Sequence, residues 1–148
     1  MIIRSMTIDD YDQVYALWSG IKGFGIRAVD DSEEGISRFL QRNPGLSVVA
    51  EDNKAIIGSI LCGHDGRRGT LYHVCVAENY RKHGVGREMV SEAVSRLKKE
   101  EINKVNLIAF CSNLLGNNFW RKEKFTFRDD LNYYDLAISE ENKTDFVS

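Results

Sequence analysis

The sequence predicts a mixed α/β domain in which short strands and amphipathic helices alternate around one core. Three observations carry this expectation. The 148 residues are 43% hydrophobic, enough to fill a single core at the commonest domain size. The spacing of apolar residues switches along the chain between a helical period and strand-like runs. One proline, no repeat and no low-complexity run leave nothing that marks a linker. Residues 1–139 are therefore expected to form one domain, and residues 140–148 a flexible polar tail.

Met1 to Ser5 is a short apolar opening. Thr7 followed by Asp10 has the spacing of a capping box and predicts a helix burying Val14, Leu17 and Trp18. Ser32 with Glu33 and Glu34 opens a second helix, which places Ile36, Phe39 and Leu40 on one face and stops before Pro44. From Leu46 the period changes. LSVVAE and KAIIGSILCGH are expected to form an antiparallel hairpin around Glu51-Asp52-Asn53. An Asp65-Gly66 turn leads into LYHVCVAE, whose β-branched content suits a central strand.

Val85, Met89, Val90, Ala93, Val94 and Leu97 then recur at helical spacing, so residues 84–99 are expected to be an amphipathic helix entered directly from that strand. Lys98 and Lys99 suit its negative end. A strand over Val105 to Phe110 and a helix after Ser112-Asn113 follow. The last expected strands run from Phe125 to Arg128 and from Tyr133 to Ile138.

Twenty basic and 22 acidic residues give a formal charge of −2, with no basic excess for nucleic acid. No stretch approaches the ~20 apolar residues of a membrane span and no apolar region follows Arg4, so a cytoplasmic protein is expected. Cys62, Cys75 and Cys111 are odd in number and widely spaced, which predicts reduced thiols. His64, His73 and His83 lack the one-turn spacing of a metal-binding pair, and no metal is expected.

The chemistry is expected at Arg81-Lys82-His83-Gly84-Val85-Gly86-Arg87. Two glycines let the backbone turn tightly and approach a ligand. The helix that follows begins with unpaired N–H groups and the positive end of its dipole, an anion site that flanking cations strengthen. A plain glycine turn opening a helix is the competing reading. A Walker loop is excluded by the missing GK[ST], and a dinucleotide fingerprint by Met89 at the third glycine position.

The R/Q-x-x-G-x-G/A pattern after a central strand resembles the GNAT superfamily of N-acetyltransferases. A second signature, Asn113-x-x-Gly116-x-x-Phe119-Trp120-x-x-x-Lys124-Phe125, resembles the family's N-x-x-A-x-x-F/L-Y-x-x-x-G-F. The stretch from Gly25 to Leu46 and the GHDGRRG turn at residues 63–69 resemble a subgroup of small bacterial members. The resemblance implies a three-layer fold whose V-splayed mixed sheet of six to seven strands, flanked by about four helices, splits between the fourth and fifth strands. It implies acetyl-CoA as co-substrate, with the pyrophosphate on the loop from Arg81 through Lys82, His83, Gly84 and Val85 to Gly86 and Arg87. The pantetheine arm would lie along backbone near Val74, Cys75 and Val76, with Asn113 and Trp120 also at the cofactor.

Direct transfer in a ternary complex needs a neutral amine, a polarised thioester carbonyl and a proton for the leaving thiolate. A backbone N–H near Val74 or Cys75 is the expected oxyanion donor. Thr70 stands about where some members carry a basic glutamate, so His73, beside Tyr72, is the candidate to relay the ammonium proton through water. Strand alternation predicts that only one of Tyr72 and His73 faces the cleft. His73 as an ordinary packed residue is the alternative. Trp120 occupies the place of the usual acidic tyrosine, so either water protonates the thiolate or Tyr133 or Tyr134 does.

Arg67 and Arg68, or Arg27 with Asp30 and Asp31, are the candidates for acceptor recognition. Small-molecule amines, polyamines, amino acids and protein N-termini all remain open as acceptors. The Tyr133-Tyr134 pair could serve a homodimer contact as readily as a core. An acetyl-CoA sensor without turnover is the alternative function.

Overall fold

The computed structural model describes residues 1–148. Seven strands and four helices follow in the order β1 (Ile2–Ser5), α1 (Tyr11–Ser19), β2 (Gly25–Arg27), α2 (Glu33–Arg42), β3 (Val48–Asp52), β4 (Ala55–His64), β5 (Gly69–Val76), α3 (Val85–Lys99), β6 (Val105–Asn106), α4 (Leu114–Lys122) and β7 (Thr144–Phe146). The main sheet has the order β1-β3-β4-β5-β6, antiparallel except for the parallel β5–β6 pair. The fold class expected from the sequence is the one observed, but the main sheet has five strands rather than six to seven, because β2 and β7 pair with each other in a separate two-stranded sheet.

Side-chain alternation divides the core between the two faces of this sheet. On one, Val48, Ala50, Ile57, Ile60 and Cys62 pack with Val85, Met89, Ala93 and Leu97 of α3. On the other, Val49, Ile56 and Leu61 pack with Val14 and Trp18 of α1 and Ile36 of α2. The helix starts follow the expected chemistry. Asp10 Oδ2 accepts the Thr7 N–H at 2.8 Å, and Ser32 Oγ accepts the Gly35 N–H at 3.0 Å. Asn53 and Lys54, both at positive φ, make the tight β3–β4 turn.

The sheet opens where the cleft was expected. Gly69 and Thr70 pair with Val105 and Asn106, and β6 then ends, leaving the rest of β5 without a neighbour on that side. The opening is the one expected between the fourth and fifth strands; it lies between β5 and β6 because β2 precedes them in the count.

Three expectations are corrected. The strand expected over Val105 to Phe110 stops at Asn106. The strands expected at Phe125 to Arg128 and Tyr133 to Ile138 do not form, because truncated β6 offers no edge with which their backbone groups could pair. Tyr133, Tyr134, Leu136 and Ile138 are exposed instead. Finally, the tail from residue 140 is not frayed. Thr144–Phe146 pairs antiparallel with Gly25–Arg27, a strand the sequence reading missed, and Asn142 Oδ1 accepts the N–H groups of Val29 and Asp30 at 3.0 and 2.9 Å. A polar segment with few apolar residues is held here by backbone pairing and one amide side chain.

Candidate functional site

The expected phosphate loop folds as a turn followed by a helix. Lys82 and Gly84 both adopt positive φ, 66° and 84°, and Gly84 caps α3. Such a left-handed pair turns successive N–H groups toward one side. A side chain at Gly84 would meet nothing within 4 Å, so the space in front of the loop is open. Arg81, Lys82, His83 and Gly84 are all exposed. Gly86 is glycine for another reason, because a Cβ there would stand 3.2 Å from the Phe119 ring of α4. Arg87 reaches Glu123 at 3.5 Å.

The cationic turn and the free N–H groups at the start of α3 therefore meet at the end of β5, where Arg81 bonds the Val76 carbonyl and Gly86 lies against Val76 and Phe119, and Asn113 stands at the start of α4. The Asn113 Oδ1 accepts the Gly116 N–H at 3.0 Å, while its Nδ2 is left to donate outward. Trp120 packs between Phe119 and Phe125, with ring centroids 4.9 Å from each. Val74 and Val76 pack toward α3, and the Val76 carbonyl accepts a 3.0 Å bond from Arg81 Nε. An open strand edge beside an N–H-rich turn and several cations fits an extended ligand ending in phosphates, as coenzyme A does.

The middle of β5 departs from the expected geometry. Ser59 pairs with Cys75 and Leu61 with Tyr72, so Ile60 stands opposite both His73 and Val74, a β-bulge. His73 sits in it at φ 49°, a conformation that costs a non-glycine residue about 1–2 kcal/mol. The bulge resets the alternation. Tyr72 packs edge-on against Phe39 and His73 against Trp18 and Phe24, all on the α1–α2 side. The expectation that only one of Tyr72 and His73 faces this side is thereby corrected.

His73 is held from every direction. Its Nε2 lies 2.9 Å from Asp31 Oδ2, with side chains 10% and 4% exposed. The Ser59 hydroxyl donates to the His73 carbonyl at 3.0 Å and accepts from Trp18 Nε1 at 3.0 Å. Since the carboxylate only accepts, Nε2 carries the proton and Nδ1 of the neutral ring keeps a lone pair. Nδ1 has no hydrogen-bond partner yet is not sealed off, because every fully buried side-chain nitrogen and oxygen is bonded. Having spent its one hydrogen on His73, Ser59 can only accept from the Cys75 thiol 3.4 Å away. Burial pushes that thiol up to about 11, so Cys75 is no nucleophile near neutrality.

Asp31 connects this pair to a cavity of about 520 Å³ between α1, the β2–α2 junction and β7. Its Oδ2 also accepts the Arg27 N–H at 2.7 Å, and its carbonyl accepts the Tyr11 hydroxyl at 2.7 Å. Burial first, and then the nearby Tyr15, Asp31 and Glu33, raise the Tyr11 phenol above its ordinary value, so it remains a donor. The sequence reading named Asp31 only with the acceptor candidates. Its bond to His73, 42 positions away, left no local signal.

Other candidates are not brought to this place. Arg67 and Arg68 lie in the turn before β5, at the opposite end of that strand from the phosphate loop; Asp65 Oδ1 accepts both their N–H groups, at 2.8 Å each. His64 bonds Glu100 at 2.9 Å at the same end. Tyr134 is 86% exposed and makes no hydrogen bond or ring contact with β5. No cluster of three or more His, Cys, Asp or Glu is arranged to hold a metal ion, and no helix is long and apolar enough to cross a membrane.

Comparison with known proteins gives a consistent picture. The acetyltransferase (GNAT) family matches residues 11–125. An acetyltransferase of Sodalis glossinidius is 30% identical over 131 residues, covering 88% of this chain and 91% of that one. The fold is similar to that of a PaiA N-acetyltransferase from Thermoplasma acidophilum solved in complex with coenzyme A, with a TM-score of 0.75 and 16% identity over 97% of this chain and 95% of that one. It is also similar to an aminoglycoside acetyltransferase from an uncultured soil sample, solved with sisomicin, at a TM-score of 0.74 and 17% identity over 93% and 96% of the two chains. The chain belongs to the acetyltransferase (GNAT) family and is an acetyl-CoA-dependent N-acetyltransferase.

Proposed function

We propose that this GNAT acetyltransferase transfers the acetyl group to a small primary amine by direct attack, with His73 as general base and Asp31 as the residue that orients it. The observation carrying this reading is the buried His73–Asp31 pair, set in a bulge on the open-edged strand and adjoining a cavity. A domain that only bound the cofactor would have no use for a strained histidine held in one tautomer.

Acetyl-CoA supplies the activated thioester. Val74, Cys75 and Val76 offer it backbone groups. Arg81, Lys82, His83, Gly84, Val85, Gly86 and Arg87 form the phosphate end, with Asn113 Nδ2 beside them and Trp120 as a packing wall. The ammonium loses a proton to His73 Nδ1, directly or through one water. The Nε2–H keeps its bond to Asp31, which stabilises the imidazolium so formed. The amine nitrogen then bonds to the acetyl carbon as the carbon–sulfur bond breaks. Charge developing on the carbonyl oxygen meets backbone N–H at the bulge, and the second proton of the attacking nitrogen passes through water to the departing sulfur, since Trp120 is no acid and Tyr134 is remote from β5.

A cavity of about 520 Å³ has the size of a small-molecule site, which favours a small amine over a protein N-terminus. The exposed run Leu131, Tyr133, Tyr134, Leu136 and Ile138 supports a homodimer contact.

The test pairs calorimetric titration of acetyl-CoA with an assay of thiol release on a panel of amines, for the native protein and for Gly84→Asp and Gly84→Asn. Both substitutions accept the left-handed backbone and differ only in charge. Saturable binding weakened at least about tenfold more by Asp than by Asn is expected, with turnover on some amine in the native protein. Binding without turnover on any amine would favour the sensor.

A further inference from the structure

The cavity beside Asp31 has a composition that an amine reading alone does not use. Its walls come from both ends of the chain: Tyr11 and Tyr15 from α1, Arg27, Asp31 and Glu33 around the start of α2, and Asp145 and Phe146 from β7. The lining residues carry three carboxylates and one guanidinium, a formal excess of two negative charges. Asp31 is 3% exposed as a residue, and its Oδ2 is spent on His73 and Arg27. Its Oδ1 has no hydrogen-bond partner within the protein and is not sealed, and Asp31 lines the cavity. A carboxylate oxygen so deeply placed and unpaired favours a ligand that brings a donor.

The other two carboxylates are held apart from it by independent constraints. Glu33 is fixed in the first turn of α2. Asp145 stands opposite Ile26 in the β2–β7 pair, which Asn142 ties down further through bonds to Val29, Asp30 N–H and the Asp30 carboxylate. Between the charges lie aromatic walls. The Tyr11 and Tyr15 rings are 5.7 Å apart at the cavity wall. Aromatic faces receive both methylene chains and ammonium groups.

Resting on the amine-acetyltransferase reading above, we propose that this cavity selects an acceptor carrying two or more cationic nitrogens joined by an alkyl chain. One ammonium sits on Asp31 Oδ1 beside His73. The second lies between Glu33 and Asp145, and the methylenes run along Tyr11 and Tyr15. A dication balances the excess charge of the cavity, whereas a monoamine leaves one charge unmet and an amino acid adds another negative charge. Asp145 lies beyond the 11–125 span of the family match, so part of this selectivity rests on the C-terminal strand.

The experiment compares kcat/KM for α,ω-diaminoalkanes of three to eight carbons with that for monoamines of equal length, in the native protein and in Asp145→Asn and Glu33→Gln. The expected preference for the diamine is about tenfold or more, shrinking in each variant and with added sodium chloride. Melting temperatures confirm that both conservative variants are folded. A native ratio near one, a ratio untouched by Asp145→Asn, or a preference for amines that carry a carboxylate would overturn the proposal while leaving the acetyltransferase reading intact. If no amine is acetylated, diamine is titrated calorimetrically into the protein saturated with coenzyme A. Binding weakened by Asp145→Asn would then support the cavity assignment and count against turnover, and no binding would overturn the assignment.

Discussion

Of the three residues with left-handed backbone on the path from β5 to α3, Gly84 and His73 hold it for opposite reasons. Gly84 has φ 84°, is exposed and has empty space where a side chain would be. His73 has φ 49° and is enclosed by Asp31, Trp18, Phe24 and Ser59. At Gly84 the residue type removes the steric cost and the loop stays open for a ligand. At His73 the surrounding packing compensates a cost of about 1–2 kcal/mol and delivers a side chain that glycine lacks. The first device makes a place to bind, and the second places a base.

The largest effect that would break this contrast is expected at Asp31. In Asp31→Asn the amide can donate to Nε2, favouring the tautomer with the proton on Nδ1 and removing the lone pair the reaction needs. A fall in kcat of about 10²–10⁴ is expected with acetyl-CoA affinity little changed, read by steady-state kinetics beside calorimetry. An equal loss of cofactor binding would mean that Asp31 supports the fold of β5 rather than the tautomer of His73.

A smaller effect separates the two loop glycines. Gly84→Ala and Gly86→Ala should each lower stability by about 1–2 kcal/mol in denaturant titrations. Only Gly86→Ala should be relieved by Phe119→Leu, because its cost comes from the Phe119 ring at 3.2 Å and that of Gly84→Ala from its φ. Additive behaviour of the Gly86 pair would place its strain elsewhere.

The smallest effect concerns the corner where β1 meets α1, remote from either device. Burial alone would raise the Asp10 carboxyl, but the Arg4 guanidinium and the Thr7 N–H outweigh it and leave Asp10 below its ordinary value. A carboxyl lowered on folding stabilises the protein above its unfolded pKa, and that contribution is lost as pH falls through the folded one. Asp10→Asn should therefore cost about 1 kcal/mol at neutral pH and progressively less as pH drops below the ordinary carboxylate range, measured as the difference in melting temperature from the native protein. A difference independent of pH would assign the effect to packing.

These contrasts also separate what could be read along the chain from what could not. The start of α2 was legible because Ser32 is followed directly by Glu33 and Glu34, and the start of α3 because two glycines follow an apolar strand. The same holds for Asn113, which both resembled a family signature and caps α4. The bulge was not legible. A histidine in LYHVCV follows strand alternation until its neighbours are known, and those are Ser59, 14 positions away, and Asp31, 42 away. The polar tail was misread for the same reason, since its partners lie more than a hundred residues earlier.

By itself, then, the sequence determined the order of most elements, the helix caps and the anion-binding turn, because these depend on residues within one or two turns of each other. Only the tertiary structure decided that β6 would be cut short, that residues 144–146 would close the cavity, and that His73 and Tyr72 would share one side of the sheet. Each of these depends on backbone pairing or on burial against distant segments, where the energy of the assembled contacts overrides local preference.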